Sequence, residues 1–87
     1  MIIIKNLIIN YINKMSISDI NNFALNNNIY LSDSELNFIY NYIKSNYEYL
    51  INNINTFDFS IYKDNFSEEN YNKIIKLINQ YKNKYVI

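Results

Sequence analysis

The sequence predicts an all-α fold: a compact bundle of four helices, or five if the third one breaks, with an aromatic-rich connector. Three observations carry this. Apolar residues recur at three- and four-residue spacing through most of the 87 residues. One helix-start grammar is written three times. A single short stretch, residues 56–62, alternates by twos instead. The length suits one domain, 1–87, near the lower end of what a core holds together unaided.

The first helix is expected over about residues 2–14. Ile4, Leu7, Ile8, Tyr11, Ile12 and Met15 make one stripe, with Asn6, Asn10 and Asn13 opposite. Its many β-branched residues make a strand at Ile2–Ile4 the alternative. Met15-Ser16-Ile17-Ser18-Asp19-Ile20 then starts a second helix running to about Leu25. Ser16 is the N-cap, Asp19 stands where a capping box places its acceptor, and Met15 with Ile20 makes a hydrophobic staple. Asn26-Asn27-Asn28 supplies the stop without glycine. Ile29, Tyr30 and Leu31 are read as an extended connection packed onto the core.

Leu31-Ser32-Asp33-Ser34-Glu35-Leu36 repeats the start signal with a full Ser–Glu capping box. From it runs the stripe Leu36, Ile39, Tyr40, Ile43, Tyr47, Leu50, Ile51 and Ile54, as one helix or as two broken near Ser45-Asn46. Thr56 to Tyr62 is read as a loop whose aromatics plug the core, since a lone strand has nothing to pair with. Phe66-Ser67-Glu68-Glu69-Asn70-Tyr71 starts the last helix, though Asn70 departs from the capping box. Its stripe is Tyr71, Ile74, Ile75, Ile78, Tyr81 and Tyr85, and Lys82 and Lys84 suit its negative end.

Composition removes whole classes of chemistry. The chain has no Gly, Pro, Cys, His, Arg or Trp. A His-based triad, a thiol nucleophile, the usual zinc ligand sets and phosphate-cradling Gly loops are therefore impossible. Asp58 and Asp64 flank the aromatic segment, where an acid/base pair or magnesium ligands would be conceivable, but they read as solvated loop carboxylates. Glu68 and Glu69 read as first-turn partners of a helix dipole. No enzyme activity, cofactor, metal or small-molecule substrate is expected. The abundance of Asn, Ile, Lys and Tyr is what A/T-rich codons produce, and the apolar periodicity argues against a prion-like segment.

Eight Lys balance eight acidic residues. That neutrality counts against nucleic-acid binding, where phosphate neutralisation supplies much of the affinity. The apolar start is interrupted by Lys5, Asn6 and Asn10, so neither a signal peptide nor a membrane span is expected, and the chain reads as cytosolic. Tyr40, Tyr47, Tyr71 and Tyr81 fall on the stripes. Tyr42, Tyr49 and Tyr62 fall off them and, with Phe59, are the candidate protein-contact residues.

Ser16-Ile17-Ser18-Asp19-Ile20, Phe23-Ala24, Ile29-Tyr30-Leu31-Ser32, Leu36, Ile39 and Ile43 together resemble a small helical family of low-GC Gram-positive bacteria, the domain of unknown function 2624. The tail Ser67, Ile74, Leu77-Ile78 and Tyr81 is similar as well. Residues 44–66 depart from the pattern, with Ser45-Asn46 where a Gly-containing break is expected. The resemblance implies a short all-helical cytosolic bacterial protein and brings no activity or catalytic residues with it. Residues 17–43 are also similar in arrangement to the helix, extended linker and helix of SAP-type modules, some of which bind nucleic acid.

The function expected is a non-catalytic protein–protein interaction module, homodimeric or bound to a larger partner, with the Ile-rich first helix as its contact. More large apolar side chains are present than so small a core readily hides. A small inhibitor from a mobile element is one form such a binder takes. The alternative is a nucleic-acid-associated module acting through Lys44, Lys73, Lys76, Lys82 and Lys84.

Overall fold

The computed structural model describes the backbone of residues 2–53 and 56–85, and the side chains of residues 7, 9–53 and 56–80. Four α-helices and one 3-10 helix account for most of them: α1 (Ile2–Lys14), α2 (Ile17–Asn26), α3 (Asp33–Asn52), the 3-10 helix (Phe59–Asn65) and α4 (Glu68–Tyr85). The fold is all-α, with no strand among the described residues. Ile2–Ile4 are helical, and residues 56–62 are the expected plug: a turn and a 3-10 helix that drops Phe59 into the core. The side chains of Ile4, Ile8, Tyr81, Lys82, Lys84 and Tyr85, and the whole of Ile54, lie outside the described residues.

The three Ser starts form as written, with one exchange of partners. Ser16 and Asp19 make a reciprocal capping box, Ser16 N–H donating to Asp19 Oδ2 at 2.9 Å and Asp19 N–H to Ser16 Oγ at 3.2 Å. Ser32 and Glu35 do the same at 2.8 and 3.2 Å. Ser67 Oγ accepts from Asn70 N–H at 3.2 Å, but Asn70 has no carboxylate to return. Glu35 supplies it from α3: its second oxygen accepts from Ser67 N–H at 2.8 Å. Asn70 instead turns its Nδ2 to Glu35 Oε1 and to the Tyr30 carbonyl, both at 2.9 Å. One buried carboxylate thus caps two helices and, through Asn70, holds the linker at Tyr30.

Asparagine does at the helix ends what glycine usually does. α2 closes with Asn28 at φ 62°, Ile29 N–H donating to Ala24 C=O at 2.9 Å and Asn28 N–H to Leu25 C=O at 3.0 Å. This is the paired bonding of a Schellman motif, and Ile29, the residue after the turn, is buried as the motif requires. Asn27, Asn46 and Asn53 share a second device. Each leaves helical φ/ψ and donates its side-chain amide to the carbonyl four residues back, at 2.9–3.0 Å. At Asn46 (φ −128°, ψ 15°) that device kinks α3 and the helix resumes, so the third stripe is one bent helix.

α3 is the spine on which α1 and α2 pack, and α4 lies against the 3-10 helix. Ala24, Ile29, Phe59 and Ile74 form the buried centre, with Ile39, Phe66, Tyr71 and Ile78 packed around it. Phe59 stacks on Tyr71 at 5.8 Å and meets Phe66 at 5.3 Å, so the staple pair of α4 clamps the plug. The molecule measures 35 × 25 × 22 Å, and no helix of the described residues is long and apolar enough to cross a membrane.

Candidate functional site: an open apolar groove

The helices do not close over their own core. No side chain among the described residues is completely sealed from solvent. An open groove of about 410 Å³ runs into the centre, reached between α1, α2, α3 and α4. Its floor is Ile20, Ala24, Ile29, Ile39, Phe59 and Ile74, and Tyr11, Met15 and Phe23 form its rim. Among the described residues, Asp19 is the one charged side chain in the lining. The cause is legible in α1: of its predicted inward stripe, two of the four described side chains are covered. Ile12 and Met15 are partly buried, whereas Leu7 and Tyr11 stand 63% and 64% exposed. Phe23, on α2, is also exposed.

A second, shallower depression brings three predicted contact residues together. Tyr42, Tyr49 and Tyr62 surround a hollow of about 330 Å³ at the α3 kink, with Ile61 at its edge. Tyr42 and Tyr62 are half-buried, their rings edge to face at 4.8 Å, and both touch Phe38. Burial, a hydrogen bond to Tyr62 and the nearby Tyr62 and Tyr49 hydroxyls push the Tyr42 phenol up to about 12. Tyr49 is exposed as expected. Phe59 is not: it is only 8% exposed. The 3-10 helix turns it into the core, so it serves the plug expected of residues 56–62 and not a contact surface.

Two lysines of the nucleic-acid alternative serve the fold. Lys44 Nζ donates to the Ile12 and Asn13 carbonyls at 2.6 and 3.1 Å, capping the negative end of α1 from α3. Lys73 Nζ donates to the Asn28 carbonyl at 2.9 Å, closing the end of α2, and lies 3.9 Å from Glu69. The nucleic-acid alternative needs both ammonium groups turned toward phosphate. Each is half-buried and directed at the chain's own backbone. Lys76 is exposed, and the side chains of Lys82 and Lys84 lie outside the described residues.

Asp58 caps the 3-10 helix, accepting from Ser60 N–H at 3.0 Å and Ser60 Oγ at 2.6 Å, and Asp64 is exposed. Among the described residues no three acidic side chains gather as a metal site would need. Glu35, with Asn70, is the buried polar centre that reading the chain did not find. Burial alone would raise its carboxyl, but the Ser32 and Ser67 N–H groups and the Asn70 amide outweigh that and lower it. Its signal was present at Asn70, whose lack of a carboxylate leaves Ser67 N–H in need of an acceptor.

The class defined is a small all-α domain with an unclosed apolar groove. In comparison with known proteins, no family model, no curated protein and no solved structure matches the chain.

Proposed function

We propose that this chain is a non-catalytic protein–protein interaction module whose docking site is the apolar groove. The observation that carries the reading is the groove itself, with Leu7, Tyr11 and Phe23 exposed beside it. Small monomers seldom leave apolar surface of this kind contiguous with an open core, and contiguous apolar patches mark association sites. An open apolar groove between helices is the kind of site that takes an amphipathic helix laid apolar face inward. The composition supports the same reading, since the residue types most active sites depend on are missing. The resemblance to domain of unknown function 2624 is compatible with it and assigns no activity.

The nucleic-acid alternative is the weaker reading, because Lys44 and Lys73 are occupied by backbone carbonyls. The test is recovery of the tagged chain from its own host, with the lysate divided into nuclease-treated and untreated halves. A stoichiometric protein that survives nuclease and is lost in Phe23→Glu is the expected result. Associates that vanish with nuclease, or that are unaffected by Phe23→Glu, refute docking in the groove.

A further inference from the structure

We infer that the groove is filled by a second copy of this chain, the two related by a two-fold axis, each placing Leu7 and Tyr11 of α1 in the other's groove. This rests on the interaction-module reading and names its partner.

The first argument is the layout of the face. Tyr11 lines the groove and is itself 64% exposed, and Leu7, one helical turn before it, is 63% exposed. An apolar ridge therefore stands beside an apolar hollow on one side of the molecule. A two-fold axis passing between them puts each ridge into the opposite hollow, the self-complementary arrangement an isologous dimer requires.

The second argument is area. The chain exposes 6350 Å². That exceeds by roughly 900 Å² the approximately 5400 Å² expected of a folded monomer of this mass. A standard stable interface buries about 800 Å² on each partner. The surplus is thus of the size that one such interface removes.

Charge is the third. The formal net charge is zero, so two copies meet without net repulsion. Lys14, three residues beyond Tyr11, and Asp19, at the groove lining, are both exposed and opposite in sign. Exchange of the ridges sets Lys14 of one copy toward the partner's Asp19 and disfavours a slipped register. An apolar small molecule is the weaker occupant, because the lining offers few polar groups to orient one.

The experiment is sedimentation velocity on the full chain from low to high micromolar concentration, with circular dichroism on every sample. The wild type is expected to pass from its 10.5 kDa monomer to twice that mass. Tyr11→Glu should raise the dimer dissociation constant at least tenfold while the helical spectrum is kept. Leu7→Lys provides the same reading should Tyr11→Glu fail to fold. Ile61→Glu, equally exposed but placed at the tyrosine hollow, should leave the dimer intact. A wild type that stays monomeric throughout overturns the inference. So does a dimer that survives both α1 variants or that Ile61→Glu disrupts. A monomer that still holds a nuclease-resistant partner through Phe23 refutes self-docking alone, whereas a monomer with no such partner refutes the interaction reading as well.

Discussion

Replacing Glu35 tests whether one carboxylate holds the starts of two helices. Three donors converge on it: Ser32 N–H and Asn70 Nδ2 on one oxygen, Ser67 N–H on the other. Glutamine keeps the shape but offers one oxygen and one NH₂ group, so in either orientation at least one donor faces another donor. A hydrogen bond to a charged group contributes about 1.5–3 kcal/mol, and a stranded buried donor costs a similar amount. Ser32 and Ser67 lie at the surface, where water relieves part of that loss. The expected destabilisation for Glu35→Gln is therefore about 2 kcal/mol, and for Glu35→Ala about 3 kcal/mol. Stability totals roughly 0.05–0.15 kcal/mol per residue in domains of this kind, so either loss is a large share. Urea unfolding at pH 7, followed by circular dichroism, measures it, with an unchanged m-value showing that the same surface unfolds. The pH dependence is a second readout. Glu35 is held below the 4.5 of a free glutamate, so its contribution is complete above 4.5 and is lost as pH falls through the folded value. The gap between wild type and Glu35→Gln should close on acidification. A Glu35→Gln protein within about 0.5 kcal/mol of wild type at pH 7 refutes the shared cap.

Three further outcomes are expected. At Asn28, φ 62° penalises a side chain that lacks asparagine's local hydrogen bonding, so Asn28→Ala should cost about 1 kcal/mol in urea unfolding while Asn28→Gly costs nothing or stabilises. Lys44→Gln removes the charged cap on Ile12 and Asn13 and should cost about 1–2 kcal/mol, with faster hydrogen exchange along α1; Lys76→Gln should change neither. Tyr42 is raised from 10.0 to about 12, so between those values the unfolded chain releases a proton that the folded one keeps. Stability then falls as pH rises through that window, and Tyr62→Phe should flatten the slope and lower the phenol's titration midpoint in absorbance.

What local physics governs was readable along the chain. The serine caps, the extents of α1 and α2, the stop at the Asn triplet and the breakable point at Ser45-Asn46 each depend on interactions within a few residues. A hydroxyl three residues from an N–H, or an amide four residues from a carbonyl, needs no tertiary partner, so sequence spacing contains it. Phe59 belongs to the plug expected of its segment and not to a contact surface, because the 3-10 turn sets its ring against Phe66 and Tyr71, which lie beyond that segment. Only tertiary structure decided the rest. Glu35 reaches Ser67 across 32 residues and Lys44 reaches Ile12 across the same span. The groove depends on how far four helices approach before their side chains meet, and apolar spacing records which face turns inward but not whether a neighbour covers it. Leu7 and Tyr11 sit on that stripe and remain exposed because no other element among the described residues lies over them.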